Sequence, residues 1–299
     1  MAIIKETRGD KVFNIVNLIL VTLCVLLVLY PLYFILIASF SNPNLVAAGK
    51  VWFYPREMTL DAYRTVFKNK DIVIGYLNTI FYAVFGTLFS LAMTLTSAYA
   101  LSKRHFIGRN VIMFFFAFTM YFGGGLIPSF LLVNKMGLMD TCWAILLPGA
   151  CNVWNIIIMR TQFVNIPDGL KEVATIDGAS DVTILFRILI PLSGAVIAVL
   201  VLFSAVGYWN MWYEPMIYLT KRSQYPIQSV LREILIDSNA QMMAGAGKTQ
   251  IKLSNTKDPA IQTLVKYANI VVCTIPILVV YPFAQKYFVK GVMVGSLKG

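Results

Sequence analysis

The residues that could carry specific chemistry are concentrated in one polar segment, Glu172 to Pro191, which reads EVATIDGASDVTILFRILIP. The rest of the chain is dominated by long apolar runs, so a polar segment of this length is unusual. A mainly apolar chain has little reason to keep such a segment in water unless something binds it. We therefore expect recognition of a partner here. A simple connector between apolar segments is the alternative that spacing alone leaves open.

The spacing of this segment predicts two short helices on either side of a glycine. Pro167 is rigid and Asp168 can cap a first turn, so a helix is expected to begin there. Gly178 can adopt the left-handed conformation that ends a helix without steric cost. Ser180 or Asp181 can then cap a second helix, which leads into the next apolar run. The first helix carries a small apolar stripe, Leu170, Val173 and Ala174.

One other segment resembles a nucleotide-binding motif, and we interpret it as a coincidence. Gly245 to Thr249 reads GAGKT, whereas a phosphate-binding loop needs a further glycine at the position of Met242. No apolar strand precedes it. We therefore expect no nucleotide site and no other cofactor on this chain.

The cysteines and the histidine are not expected to form a metal site. The cysteines form no C-x-x-C pair and lie within or at the ends of apolar runs, where they pack as small apolar side chains. They are Cys24, Cys142, Cys151 and Cys273. Because the single histidine, His105, lies in a short basic loop, the usual ligand set of a zinc site is missing.

Composition indicates a membrane protein. The chain is 58% hydrophobic and 13% charged, whereas soluble domains are roughly 25% charged. The net charge is +11, but the basic residues lie between apolar runs, where they set topology rather than bind nucleic acid.

About 20 residues in a helix cross a hydrocarbon core of ~30 Å. Six charge-free runs are long enough to cross it: Val12–Phe40, Ile72–Ser102, Asn110–Asn134, Thr141–Met159, Ile188–Tyr213 and Tyr267–Gln285.

Charges near the ends of these spans predict the orientation. The first span is much longer than the roughly 7–15 apolar residues of a secretory signal, so it is expected to remain as an anchor. The short loop Lys103–Arg109 is strongly basic, which favours the cytoplasm for it. Both termini and the Glu172–Pro191 segment are then cytoplasmic, and Ser41–Asp71 and Glu214–Lys266 are external. A short external helix is expected at Tyr225–Asp237.

Helix breakers interrupt several spans, most densely at Gly123–Gly125 and Pro128. Non-helical backbone at membrane depth is tolerated where it faces protein or a water-filled cavity, so these breaks are compatible with a transport pathway. None of the 14 carboxylates lies at the centre of a span. Ion-coupled carriers usually keep an ionisable group there. We therefore expect the energy for transport to come from another chain.

The segment from Glu172 onward resembles the EAA loop of the permease subunits of binding-protein-dependent ABC importers. The family pattern is E-A-A, three residues, G, nine residues and I-x-L-P. Here it corresponds to Glu172-Val173-Ala174, Gly178 and Ile188-x-Ile190-Pro191, with two apolar replacements. Asp177-Gly178-Ala179 and Phe186 are similar to the sugar-importer branch, which is related to the maltose transporter permeases. Further similar motifs are Asn78-Thr79, Tyr208-Trp209-Asn210, Lys286–Gly291 and Leu297–Gly299, so the resemblance covers most of the chain after Gly75.

This resemblance implies a fold, a mechanism and partners. It implies an all-α integral membrane protein with six transmembrane helices of the type I ABC importer fold and a cytoplasmic coupling helix between spans 4 and 5. That helix would sit in a cleft of a cytoplasmic ABC ATPase dimer, which would bind ATP and Mg. A second, different permease subunit and an external solute-binding protein would complete the importer of a carbohydrate. The coupling residues would be Leu170, Glu172, Val173, Ala174, Asp177, Gly178 and Ala179.

Aromatic and amide side chains at the end of span 5 are the candidates for contact with the substrate. Sugars present apolar C–H faces and hydroxyls, which aromatic rings and amides match. These candidates are Tyr208, Trp209, Asn210, Trp212 and Tyr213. An aromatic belt at the membrane surface is the alternative for Trp212 and Tyr213. Asn210 favours a pathway, because an amide that faces lipid would be unsatisfied.

The predicted organisation is a core with two flanking pieces. Residues 1–72 hold the N-terminus, the first span and the first external segment, residues 73–290 hold five spans, and residues 291–299 form a cytoplasmic tail. We expect a transport subunit of the bacterial cytoplasmic membrane rather than an enzyme, and the resemblance favours oligosaccharide or polysaccharide fragments as substrate. A mono- or disaccharide, a polyol, or a channel or carrier outside the ABC class are the alternatives. An exporter with a fused ATPase does not fit into 299 residues filled by six spans.

Overall fold

The computed structural model describes residues 8–243, 264–279 and 282, and the regular elements among them are all helical. The all-α expectation is therefore confirmed for this part of the chain. One turn, Leu185–Leu189, is π-helical. The helices are α1 (Arg8–Ser39), α2 (Pro43–Ala47), α3 (Asp61–Lys68), α4 (Lys70–Ser102), α5 (Arg109–Tyr121), α6 (Leu126–Lys135), α7 (Trp143–Ala150), α8 (Val153–Asn165), α9 (Asp168–Ile176), α10 (Asp181–Leu192), α11 (Gly194–Trp209), α12 (Tyr213–Tyr218), α13 (Ile227–Met243) and α14 (Leu264–Val279).

The chain forms two compact units, with boundaries after Asn69, Glu233 and Thr274. The first unit contains α1 to α3, and the second contains α4 to α12 together with the first turns of α13. The polar segment that the sequence singles out lies in the second unit. That unit therefore positions the candidate site.

Helix α1 is apolar on all sides. Its most apolar stretch has a mean hydropathy of 2.8, and none of that stretch is buried inside the protein. Its 32 residues extend for about 48 Å at the usual rise per residue, which is more than a hydrocarbon core requires. A helix that is apolar all round and exposed all round is suited to lipid rather than to water. The predicted span Val12–Phe40 lies on this helix.

Helix α4 is the central helix of the second unit, and it packs against α7, α8 and α11. The predicted span Ile72–Ser102 coincides with it except for the two charged residues at its start. Small and hydroxyl-bearing side chains on the buried face let neighbouring helices approach closely. Those buried residues include Gly75, Thr79, Gly86, Ser90, Thr94 and Ala98.

Three of the predicted spans are broken rather than straight. Helices α5 and α6 meet at 119°, α7 and α8 at 42°, and α10 and α11 at 87°. The first break contains Gly125, whose φ of 83° is a conformation that glycine adopts without strain. At the second break, the Asn152 side chain accepts a hydrogen bond from the backbone amide of Asn155 at 3.1 Å and so caps the start of a new helix. At the third, Ser193 leaves helical geometry.

The break within Asn110–Asn134 lies at Gly123–Gly125, where the sequence predicted an interruption, whereas the bends within Thr141–Met159 and Ile188–Tyr213 were not predicted. A charge-free run predicts residence in lipid, but it does not predict a straight backbone. By length and composition, two described helices can cross a membrane, or up to five if each bent pair is one span. The sixth predicted span overlaps α14, and its last residues lie outside the described part of the chain. The count of six spans therefore stays a prediction.

The helix predicted at Tyr225–Asp237 is found as α13, which begins at Ile227 and ends at Met243, and its external placement stays a prediction. It starts directly after Pro226, whose fixed φ suits the beginning of a helix. The GAGKT segment at Gly245–Thr249, the tail at residues 291–299 and the C-terminal motifs lie outside the described residues.

Candidate functional site

The polar segment forms two helices joined at a glycine, as its spacing predicts. Gly178 has a φ of 79°, and the amide of Ala179 donates to the carbonyl of Ala174 at 2.9 Å across the turn. This is the pattern in which a left-handed glycine ends a helix and satisfies its last carbonyls. The Ser180 hydroxyl then accepts from the amide of Thr183 at 3.3 Å and caps α10.

The predicted capping role of Asp168 is wrong. Asp168 is the first residue of α9, Pro167 occupies the cap position, and no side chain caps the helix. The Asp168 carboxylate instead accepts from Lys171 at 3.2 Å and pairs with Arg104 at 3.1 Å. A carboxylate in a first turn still favours the positive end of the helix dipole.

The two alanines of the segment face the protein, and the larger apolar side chains face away from it. Ala174 and Ala179 are half-buried against a cluster that includes Phe163 and Leu185. The predicted stripe is therefore divided, because Leu170 and Val173 are exposed while Ala174 is not. Ile176 extends the exposed face, with 84% of its surface accessible. The other predicted coupling residues, Glu172, Asp177 and Gly178, are exposed as well.

Ile176 was missed by the sequence reasoning, although it follows Leu170 and Val173 at intervals of three. Val182 and Phe186 on α10 are exposed as well. We call Leu170, Val173, Ile176, Val182 and Phe186, together with Glu172, the α9–α10 face. Exposed apolar side chains on a short helical segment are typical of a surface that another protein covers.

The segment is fastened to the end of α4 by charged groups. The Asp181 carboxylate forms an ion pair with Lys103 and accepts a hydrogen bond from the Tyr99 hydroxyl at 2.9 Å. These two donors favour the ionised form, so the pKa of Asp181 lies below its ordinary value. Together with the pair between Arg104 and Asp168, this contact joins both halves of the segment to the same helix end. The sequence indicated only that Lys103 and Arg104 set the topology.

A cavity of about 580 Å³ lies among α4, α7, α8 and α11 in the second unit. Its wall mixes apolar surface with hydroxyl, amide and aromatic side chains. One hydrogen bond within the wall joins the Asn155 amide nitrogen to the Ser204 hydroxyl at 3.3 Å. The polar and aromatic lining residues are Ser90, Asn152, Asn155, Phe203, Ser204, Tyr208, Asn210, Trp212, Tyr213 and Glu214.

Four of the five predicted substrate-contact residues line this cavity: Tyr208, Asn210, Trp212 and Tyr213. They come together because α11 ends at Trp209 and Asn210 turns the chain towards α12. Trp209 does not line the cavity, and its ring lies 6.4 Å from that of Tyr76 on α4.

Five polar lining residues were not predicted. Asn152 and Asn155 could have been found from the sequence, because amides inside an apolar run need partners. Ser90, Ser204 and Glu214 carry no comparable pattern. Their place in the wall depends on helix packing, which sequence spacing does not specify.

Residues 223–227 are hydrogen-bonded to α4 within the second unit. The Asn78 amide donates to the carbonyls of Ser223 and Tyr225 at 2.8 and 3.0 Å. The Thr79 hydroxyl accepts from the amide of Ile227 at 2.8 Å. The Asn78-Thr79 motif therefore holds the start of α13 against α4.

Two proteins of Bacillus subtilis are similar to this chain over nearly its whole length. The chain is 43% identical to the polygalacturonan/rhamnogalacturonan transport system permease protein YtcP of Bacillus subtilis, over 93% of each chain. It is 39% identical to protein LplC of Bacillus subtilis, over 98% of this chain and 97% of LplC. No protein-family model matches the chain.

The fold also matches a solved structure. A chain from the crystal structure of a bacterial ABC transporter involved in the import of the acidic polysaccharide alginate superimposes with a TM-score of 0.86 and 38% identity, over 95% of this chain and 99% of that one. The chain therefore belongs to the family of ABC transporter permease subunits. It is a membrane protein, and its relatives are transport subunits rather than enzymes.

Proposed function

We propose that this chain is the transmembrane permease subunit of an ABC importer that carries oligosaccharide or polysaccharide fragments across the bacterial cytoplasmic membrane. The observation that carries the proposal is the cavity of about 580 Å³ lined by hydroxyls, amides and aromatic rings. Ligand sites of this size usually combine apolar walls with a few convergent polar groups. The substrates for which these relatives are named, polygalacturonan, rhamnogalacturonan and alginate, favour a uronate-containing polysaccharide fragment.

The wall of this cavity suits a sugar chain. Aromatic faces such as those of Tyr208 and Trp212 pack against the C–H faces of a pyranose ring. Amides and hydroxyls such as those of Asn155, Ser204 and Asn210 exchange hydrogen bonds with its hydroxyls. Tyr208 supports this role in particular, because its hydroxyl is buried without a hydrogen-bond partner among the described residues. A buried polar group of this kind gains free energy when a ligand provides its partner.

The α9–α10 face is proposed as the docking surface for an ABC ATPase. Leu170, Val173 and Ile176 would enter an apolar cleft on that subunit, and Glu172 and Asp177 would meet its rim. Ala174 and Ala179 hold the face against the permease core, and Gly178 sets the turn between the helices. Force applied to the face would pass to α4 through Asp181 and Asp168, whose partners are Lys103, Tyr99 and Arg104.

The proposed architecture has six spans with both termini in the cytoplasm, divided at residues 72/73 and 290/291. In this arrangement the basic loop Lys103–Arg109 and the α9–α10 face lie on the same side, and the ion pairs between them support that placement. The proposed partners are an ABC ATPase dimer that binds ATP and Mg, a second and different permease subunit, and an external solute-binding protein. This chain would hold no cofactor of its own.

Uptake in cells tests this function directly. Cells whose gene for this chain is deleted are complemented with the unsubstituted chain or with Asn210→Leu, and uptake of radiolabelled trigalacturonate, galactotriose and galacturonate monomer is measured. The unsubstituted chain should restore uptake of an oligosaccharide, and Asn210→Leu should lower it about tenfold or more at an unchanged amount of protein in the membrane. The proposal is wrong if complementation restores uptake of none of the oligosaccharides, and a response to the monomer alone would favour a smaller solute.

A further inference from the structure

A basic side chain covers one face of an aromatic residue in the cavity wall. The guanidinium carbon of Arg232 lies 3.5 Å from the centre of the Trp212 ring, which is a cation–π contact. Trp212 lines the cavity, and its carbonyl accepts a hydrogen bond from the Ser229 hydroxyl at 3.1 Å. Ser229 and Arg232 are three residues apart on α13 and so lie on the same face of that helix. The helix therefore holds the guanidinium in register with the indole.

The charge of Arg232 is not neutralised by any residue that the structure describes. Its side chain is exposed, and the ion pairs of this region use a different arginine. That arginine is Arg222, which pairs with Asp71 and with Glu233, both at 3.0 Å. Stacking occupies one face of the Arg232 guanidinium and leaves its edges. Those edges can donate two parallel hydrogen bonds to a carboxylate, which an ammonium group cannot do in the same geometry.

The cavity wall by itself is poorly suited to an acidic sugar. Among the described residues, Glu214 is the one charged residue in that wall, and it is negative. A uronate that entered the cavity would be repelled by Glu214 unless a cation stood close to the wall. Arg232 supplies that cation, since it touches the wall through Trp212.

We propose that Arg232, stacked on Trp212, is a carboxylate-binding subsite that makes the permease prefer uronate-containing saccharides over neutral ones. This inference rests on the proposed function. The two edges of the guanidinium bind the carboxylate of one sugar unit. Trp212 holds the guanidinium in place, and the amides and hydroxyls of the cavity bind the hydroxyls of the sugar. Arg232 is in this way a specificity-determining residue rather than a part of the coupling machinery.

The test measures uptake of two probes that share one sugar backbone, one charged and one uncharged. They are radiolabelled trigalacturonate and its fully methyl-esterified, uncharged form. Cells that depend on this chain for uptake carry one of two substitutions. Arg232→Gln keeps a planar group over the indole but removes the charge. Arg232→Lys keeps the charge but removes the two parallel N–H donors of the guanidinium. Lys221→Gln is the matched control, because it removes an exposed positive charge from the same external region without touching the cavity wall. The amount of each variant in the membrane is measured in parallel.

We expect Arg232→Gln to lower trigalacturonate uptake about tenfold, because this is the usual loss of affinity when a hydrogen bond to a charged group is removed. Arg232→Gln should change uptake of the ester less than twofold. Arg232→Lys should give a rate of trigalacturonate uptake between those of Arg232→Gln and the unsubstituted chain. Lys221→Gln should take up both probes as the unsubstituted chain does. The subsite is wrong if Arg232→Gln leaves trigalacturonate uptake intact, lowers both probes equally, or does no more than Lys221→Gln. If the unsubstituted chain imports neither probe nor any other oligosaccharide, the proposed function fails and the subsite fails with it.

Discussion

The ring of Tyr208 occupies the space that a side chain at Gly86 would need. A Cβ atom at Gly86 would overlap Cζ of Tyr208, and a Cβ at Gly149 would lie 2.6 Å from the hydroxyl oxygen of Tyr208. A Cβ atom essentially never lies this close to a non-bonded neighbour, so the ring and two glycines from different helices are fitted to one another. Because Tyr208 is also part of the cavity wall, this fit couples helix packing to the shape of the proposed substrate pathway.

The two glycines should respond differently when the ring is changed. Gly149→Ala should lower uptake severalfold, because the new methyl group meets the tyrosine hydroxyl, and Tyr208→Phe in the same chain should restore part of the loss. Gly86→Ala should also lower uptake, but Tyr208→Phe should not rescue it, since the new methyl group meets the ring itself. Oligosaccharide uptake by the single and double variants is the measurement.

A glycine without close neighbours gives the control for this experiment. A Cβ at Gly194 would meet no atom within 4 Å, so Gly194→Ala should leave uptake unchanged. Equal losses for all three glycine variants, or rescue of Gly86→Ala by Tyr208→Phe, would contradict the fit described here.

The contact between Asp181 and Lys103 should matter for coupling more than for stability. Both side chains are partly exposed, and such pairs contribute about 1 kcal/mol or less. Asp181→Asn, Lys103→Gln and the double variant should therefore unfold at nearly the same temperature as the unsubstituted importer. Each single variant should lower the ratio of oligosaccharide transported to ATP hydrolysed, and the double variant should lose less than the sum of the two. Additive losses would show that the two residues act independently.

The same carboxylate predicts a small dependence of stability on pH. The folded state lowers the pKa of Asp181, so its contribution is fully present above the ordinary pKa of about 3.9 and is lost as the pH falls through the lower folded value. Between pH 7 and pH 5 the purified importer and its Asp181→Asn variant should therefore differ in melting temperature by a constant amount. The difference should shrink only below about pH 4. A difference that shrinks above pH 5 would show that the folded pKa is not lowered.

Gly178 is expected to be sensitive because of its backbone conformation. Its φ of 79° costs an L-residue roughly 1–2 kcal/mol, so Gly178→Ala should disturb the turn that presents the α9–α10 face. Transport should fall while the chain remains inserted and bound to its partner permease. Gly169→Ala is the matched control on the same helix, because Gly169 has an ordinary φ and open space around it. Uptake and co-purification of the ATPase are measured for both, and equal behaviour of the two variants would contradict the role of the turn.

The Asn78-Thr79 motif should stabilise the packing of α13 against α4. Thr79→Val leaves the buried amide of Ile227 without its acceptor, and an unsatisfied buried donor costs about 1–3 kcal/mol. Thr79→Val should therefore lower the melting temperature of the purified importer by several degrees. Thr96→Val should change it little, since the exposed Thr96 hydroxyl bonds only to carbonyls of its own helix. Similar shifts for the two variants would show that the contact to Ile227 contributes nothing.

Sequence reasoning predicted what depends on local spacing and composition. The lengths of α1 and α4 follow from charge-free runs, and the turn at Gly178 follows from the conformational freedom of glycine. The breaks at Asn152 and Ser193 were not predicted, because a run can be apolar without being straight. The contacts of Asp181 with Tyr99 and Lys103 join residues about 80 positions apart, and nothing in local spacing specifies them.

The residues of the candidate site were predicted where they are neighbours in the sequence and missed where they meet through helix packing. Tyr208, Asn210, Trp212 and Tyr213 share one helix end and could be grouped from the sequence. Trp209 was grouped with them, but a helix presents adjacent residues in different directions, and its ring lies beside Tyr76 instead. Arg232 could not be connected with Trp212, because their contact depends on how α13 packs.

ATP-dependent uptake by the purified importer tests the central claim most directly. The complex is isolated through a tag on this chain, reconstituted in liposomes with its solute-binding protein, and supplied with radiolabelled trigalacturonate with or without ATP. We predict that an ABC ATPase co-purifies, that the sugar accumulates only with ATP, and that Val173→Glu on the α9–α10 face removes both the ATPase and the accumulation. Accumulation without ATP, or full ATPase binding and uptake by Val173→Glu, would contradict the account.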